Sequence, residues 1–384
     1  MRRALAPVVV ILWTLLAPGV AAAQVQLLGT VGLGRPARGI DARALAMGGA
    51  GVALHGGNFS TLNVAALARI STPGVFLTFG QENRHIEGDL ADGHFSTADF
   101  PVVRVAFPVG ERSVIGVAAA NFLDQDWGVE FVDTLRLSSG DVAFRETRQS
   151  DGGVSEFRLE WATVLSEKLS VGAAGLFYSG ETRQRVEKAF IASSAFMPFE
   201  SETSLEYTGW GVSVGAEFQP FAEMILGGAF RRGFGLKIES DMGAELETEV
   251  PMALDLGASW QLTPDFILAL AGGWENWATT NDELPDVRSV DTWRLGGGID
   301  FRALSNATTA FFLRLGGHFE RQPFQLQGGA PWERAGSVGV GLNLREGRGR
   351  LDATFEFGSR ADRESHGIDE SFTRYMFGVA VFTS

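Results

Sequence analysis

From Pro73 onward the hydrophobic positions recur every second residue. Over residues 310–320 one parity reads Phe311, Leu313, Leu315, Gly317 and Phe319. The other reads Ala310, Phe312, Arg314, Gly316, His318 and Glu320. Residues 249–262 place Val250, Met252, Leu254, Leu256, Ala258, Trp260 and Leu262 against Glu249, Asp255, Ser259 and Gln261. Leu351, Ala353, Phe355 and Phe357 alternate with Arg350, Asp352, Thr354 and Glu356. Trp293, Leu295, Ile299 and Phe301 alternate with Arg294, Gly296, Gly298 and Asp300. Side chains on a strand point to opposite faces in turn, so each segment is a strand with one apolar and one polar or glycine-rich face.

Two kinds of connection separate these strands, and they alternate. Tight turns fall at 110–112, 167, 220, 263–264, 305–306 and 346–349, and longer polar stretches at 82–100, 124–151, 181–202, 235–244, 279–288, 323–331 and 360–369. Six short turns interleaved with seven long loops define fourteen strands. An even strand number, with short turns at one rim and long loops at the other, predicts an all-β, 14-stranded antiparallel transmembrane barrel. Tyr178, Tyr207, Trp274, Trp277, Trp293, Trp332 and Tyr375 lie towards the long-loop ends, and Trp161 and Trp260 towards the short-turn ends. Two aromatic girdles at headgroup level are expected from that placement. A secreted β-sandwich also alternates, but its strands would be shorter and its loops would lack this rim asymmetry.

Residues 1–23 have a different pattern. Arg2 and Arg3 precede an apolar run from Val8 to Leu16, and Ala21, Ala22 and Ala23 precede Gln24. That order is a secretory signal peptide, too short to anchor as a spanning helix. Residues 24–72 do not alternate. They are glycine-rich, then small and aliphatic, and an apolar block ahead of a barrel (residues 73–384) finds burial in its lumen. The expected organisation is thus signal peptide, lumenal hatch, barrel.

Composition narrows the function classes. Glycine accounts for 49 of 384 residues, and inward-facing glycines leave room for a plug or ligand. A net charge of −14 argues against nucleic acid. Zero cysteines exclude disulfides, thiolate catalysis and cysteine-ligated metals. Gly211, Ser213 and Gly215 spell G-x-S-x-G, but mid-strand rather than at the strand-to-helix turn which that motif needs. The five histidines show no metal spacing. No enzyme, cofactor or metal is expected.

The run Arg43, Ala44, Leu45, Ala46, Met47, Gly48, Gly49, Ala50, Gly51, Val52, Ala53, Leu54, followed by Asn63, Val64 and Ala65, resembles the hatch of the FadL/TodX family of outer-membrane transporters for fatty acids and other hydrophobic molecules. A proline usual after the asparagine is replaced here by Val64. The stretches Phe355–Arg360 and Gly367–Phe372 look like the family's last hairpin, although the chain ends without a terminal aromatic residue. The resemblance implies a bacterial outer-membrane monomer that works by diffusion. A ligand is captured among outer loops, passes to a pocket near the hatch, and leaves sideways near the third strand into lipid and lipopolysaccharide. Some relatives act instead as shuttles or scaffolds for secretion or assembly machinery, without transport.

The residues suggest candidates for each step. Phe190, Ile191, Phe196, Met197 and Phe199 make the third long loop unusually apolar, as a capture groove requires. The same side chains serve equally as packing between loops. Arg104, Arg294 and Arg314 face inward, where arginine pairs with a carboxylate ligand or braces barrel and hatch through Glu156, Glu160, Asp300, Glu320 and Asp352. Met47 and Leu54 either line the pocket or pack the plug. Arg43, Met47, Gly48, Gly49, Ala50 and Asn63 carry the hatch motif.

Overall fold

The computed structural model describes residues 33–88, 92–137, 140–191, 197–281, 288–326, 328–344 and 348–383. The signal peptide, the first hatch residues and Phe196 lie outside them. Fourteen antiparallel strands form the barrel: β1 Gly74–Gly88, β2 Asp92–Val109, β3 Ser113–Asp124, β4 Gly140–Ser166, β5 Leu169–Phe190, β6 Phe199–Phe221 and β7 Met224–Ser240. They continue with β8 Ala253–Thr263, β9 Phe266–Glu275, β10 Thr292–Ser305, β11 Thr309–Arg321, β12 Trp332–Leu344, β13 Gly349–Arg360 and β14 Ile368–Phe382. Each strand pairs with the next, and β14 closes the cylinder on β1 from Phe382 opposite Gly74 to Ile368 opposite Gly88. Pairing the last strand with the first closes the sheet, the condition for it to cross a bilayer.

The apolar parity faces outward. Val75, Leu77, Phe107, Val117, Leu159, Val214, Leu256, Leu315, Phe357 and Phe377 are all exposed, while their neighbours on the other parity are buried or half-buried. A core-filling sandwich would bury both inner faces; here the apolar side chains wrap the outside and the polar ones line the inside.

The aromatic rims need correction. Trp293, Trp332 and Tyr375 face outward at the long-loop rim, and Trp161 and Trp260 at the other. Tyr178, Tyr207 and Trp277 point inward and are buried. On β5 it is Phe177 that faces out, one residue from Tyr178, so a one-residue difference in parity assigns the ring to the opposite face.

Several of the expected loops are also in part paired strand, among them 235–244, where Leu236–Glu239 pair with Glu245–Thr248. Within 82–100, β1 continues to Gly88 and β2 begins at Asp92, and a separate arm, Trp127–Leu137, pairs with the start of β4. β5 and β6 pair as far out as Lys188 opposite Phe199. A spanning strand needs about 9–11 residues; β4 has 27 and β6 has 23. The excess extends beyond the apolar band, and apart from the apolar tip at Phe190, Ile191, Met197 and Phe199 both its faces are largely polar, so alternation no longer marks a strand.

Residues 33–72 lie inside the cylinder. Asp41 caps helix α1 (Ala42–Ala46), its carboxylate accepting from Ala44 N at 2.7 Å and from Phe59 N at 2.9 Å. Asn63 caps a 3-10 turn at Val64–Arg69 and donates to Val52 O and Ala216 O at 3.0 and 3.1 Å. Gly48 sits in the left-handed region at φ 65°, where a Cβ would lie 2.2 Å from Gly317 O and 2.6 Å from Gly297 O. From the wall, a Cβ on Gly296 would lie 1.9 Å from Gly48 O, and one on Gly316 2.3 Å from Gly48 N. The glycines on the inner parity of β10 and β11 therefore make room for hatch backbone.

Candidate functional site

Among the described residues the wall is incomplete between β2 and β3. β2 and β3 pair over only eight residues, from Val109 opposite Ser113 to Val102 opposite Ala120. Beyond that point β2 continues on β1 and β3 continues on β4, and the two diverge. Pro101, which has no N–H to offer a ladder, sits where the pairing stops. Register shifts flank it, between Thr78 and Gly80 on β1 and between Asn121 and Leu123 on β3.

The hatch takes over the edge that β3 loses. Arg35 and Pro36 pair with Asp124 and Leu123, and Ala37 N donates to Phe122 O at 2.9 Å. Arg35 binds Glu82 of β1 at 2.5 Å and also Asp124 of β3. Across the opening Asn121 Nδ2 donates to Asp99 Oδ2 at 2.6 Å. Behind that single side-chain bond lies a cavity of about 120 Å³. Asp99, Pro101 and Asn121 line its outer end, and Ile40, Leu45, Gly49, Arg294, Glu320 and Met376 its inner end. The opening thus communicates with the hatch, through a passage whose walls alternate ion pairs with Pro36, Ala37, Ile40, Leu45 and Met376.

The inward arginines are held in networks that join wall to hatch. Arg104 Nη2 donates to Glu160 at 3.0 Å, and its Nη1 donates to Phe59 O and Ser60 O of the hatch at 3.1 and 3.2 Å. Arg158 links Glu160 to Glu156. Arg314 binds Asp352 at 2.6 Å and Asp300 at 3.1 Å, and Asp300 accepts from Arg43 Nε at 2.9 Å. Arg38 of the hatch reaches Glu320 and Glu275. Arg294 pairs with Asp255. Arg360 joins Glu82, Glu333 and Glu370. Each charge is withdrawn from water, and removing one partner of such a pair costs about 3–5 kcal/mol.

Among the residues singled out in the sequence, Arg104 and Arg314 sit in these networks and do not border the cavity. Met47 and Leu54 are fully buried in one cluster with Ala44, Val52, Ala269 and Ala271. Phe190 packs at a tilt against Phe144, ring centroids 6.3 Å apart, on the outer sheet, while Ile191, Met197 and Phe199 are exposed there. The cavity residues Arg35, Asp99, Asn121 and Met376 were not singled out. One sequence signal could have found the opening, namely Pro101 inside an alternating run. A Ser–His contact also emerges: His55 Nδ1 lies 2.8 Å from Ser259 Oγ, on the lumen side rather than the lipid face. Burial pushes the His55 imidazole below its ordinary pKa.

This architecture, a 14-stranded barrel filled by an N-terminal hatch, is the fold it shares with solved outer-membrane proteins of FadL/TodX type. No protein-family model matches the chain, and no curated protein does. Among solved structures it is similar to a Pseudomonas aeruginosa FadL homologue, with 13% identity over 89% of this chain and 98% of that one and a TM-score of 0.63. It is also similar to the Pseudomonas putida toluene transporter TodX, with 16% identity, 90% and 98% coverage and a TM-score of 0.59. The Ralstonia pickettii toluene transporter TbuX matches at 14% identity, 90% and 99% coverage and a TM-score of 0.59.

Proposed function

We propose that this protein is a passive channel of the bacterial outer membrane, exported with loss of residues 1–23, that passes hydrophobic small molecules such as fatty acids or hydrocarbons. The ligand is gathered on the apolar outer sheet around Phe190, Ile191, Met197 and Phe199, reaches the cavity beside the hatch, and leaves sideways between β2 and β3. The observation that carries this reading is the ladder stopping at Val102 and Ala120 with a cavity behind it. An apolar solute gains from such a route because it enters hydrocarbon directly, without crossing a water-filled pore. Nothing in the route calls for a cofactor, nucleotide or ion gradient, and one chain suffices.

The test uses the cysteine-free background. Asp99→Cys with Asn121→Cys places two thiols across the opening, and cells carrying this variant are assayed for uptake of toluene and of a long-chain fatty acid. Oxidation, verified by gel shift, should block uptake and reduction restore it. Undiminished uptake through a fully cross-linked wall refutes lateral release. Phe190→Ser with Phe196→Ser tests capture: uptake should fall while the barrel still assembles.

A further inference from the structure

The outward face of the barrel is mostly apolar, and one row of polar side chains on it runs unbroken across five strands. Cross-strand register sets Arg334 of β12 opposite Ser359 of β13, Ser359 opposite Ser371 of β14, Ser371 opposite His85 of β1, and His85 opposite His94 of β2. Directly opposed residues share a face, so these five form one continuous row around the outside of the cylinder. Arg321 of β11 stands opposite Trp332, one step above Arg334 on the same face. Neither arginine has an ion-pair partner among the described residues. His85 and His94 stack at 4.2 Å, and Glu87 holds His85 at 2.8 Å. The row borders an open groove of about 710 Å³.

Its height on the barrel follows from the rings around it. Trp332 is outward two residues above Arg334, and Phe357 and Tyr375 are outward below Ser359 and Ser371. Those rings mark the level of lipid headgroups at the long-loop rim. An arginine facing hydrocarbon costs about 2–4 kcal/mol at the bilayer centre but about 0–1 kcal/mol at the interface. At that level it meets whatever anion the outer leaflet presents.

We propose that this groove, together with Arg321 next to it, is a binding site for a phosphate-bearing lipid headgroup, with Arg334 in the groove and Arg321 beside it as the anion contacts and the serine hydroxyls and histidines as further hydrogen-bonding groups. Two planar guanidinium forks suit phosphate oxygens, and a row of hydroxyl and imidazole groups suits a sugar or glycerol. The site rests on the barrel lying in a membrane, not on what passes through it.

The experiment is native mass spectrometry of the full chain in neutral detergent. It is titrated separately with lipid A, with dephosphorylated lipid A and with phosphatidylcholine. The wild type should retain lipid A at least about tenfold more tightly than the dephosphorylated form. Arg321→Gln with Arg334→Gln should abolish that preference, with heat-modifiable gel mobility and toluene uptake unchanged. If millimolar inorganic phosphate fails to displace lipid A, the lipid headgroup is the ligand. If it does displace it, the site holds as a phosphate site that free phosphate also fills. No preference for the phosphorylated form, or equal retention by the double variant, overturns the proposal. Because uptake is read in parallel, failure here is distinguishable from failure of the channel reading.

Discussion

Substituting alanine for Gly48 tests whether the hatch is seated as described. Gly48 and the adjacent Gly49 both have positive φ, 65° and 77°, so alanine at either costs about 1–2 kcal/mol of backbone strain. Their surroundings differ. A Cβ on Gly49 meets nothing within 4 Å, whereas one on Gly48 would lie 2.2 and 2.6 Å from the carbonyl oxygens of Gly317 and Gly297. Those carbonyls belong to the barrel ladder, so the hatch must move instead. Overpacking of this kind costs about 1–3 kcal/mol, which corresponds to about 5- to 150-fold in the hatch-opening equilibrium. Ser60→Cys, at a fully buried hatch position in a chain without cysteines, supplies the reporter. When opening and closing are fast, the maleimide labelling rate follows the open population. Gly48→Ala should therefore label about 5- to 150-fold faster than Gly49→Ala. Equal rates in the two variants would refute the seating of Gly48 between β10 and β11.

Glu217 is fully buried, with Arg69 Nε at 2.7 Å as its ion-pair partner, so Arg69→Met should lower stability by about 3–5 kcal/mol, and adding Glu217→Gln should recover most of it in thermal unfolding. Burial lowers the His55 pKa, so the folded hatch favours the neutral ring. Its contribution is complete above the unfolded value of about 6.5 and is lost as pH falls below it. His55→Gln should remove that dependence from the pH profile of maleimide labelling in the Ser60→Cys background. Single-tryptophan variants check the girdles: brominated lipid should quench Trp293 and Trp332 but leave Trp277, buried at the lumen side, unquenched.

Much of the barrel was legible because a bilayer imposes a simple code. Every second side chain on a spanning strand faces hydrocarbon, so β10, β11 and β13 can be read residue by residue. The code fails where lipid ends. The outer parts of β4, β5 and β6 have water on both faces, and their polarity looks like loop although the ladder continues. It also fails at Tyr178, because amphipathic rings suit either face and only the pleat decides between them.

The sequence by itself determined the strand number, the outward apolar band and the presence of a compact hatch, since each follows from local period and composition. The tertiary structure decided what the inward residues do. Arg104, Arg314 and Arg43 are far apart in the chain from Glu160, Asp352 and Asp300, and only closure of the cylinder sets their distances. The same holds for the opening between β2 and β3, where Pro101, Asn121 and Arg35 meet from three separate segments, and for the row from Arg334 to His94. Hydrogen-bond register across many strands is a long-range property; Pro101 marks locally where a ladder can stop, but no local pattern says which residues meet there.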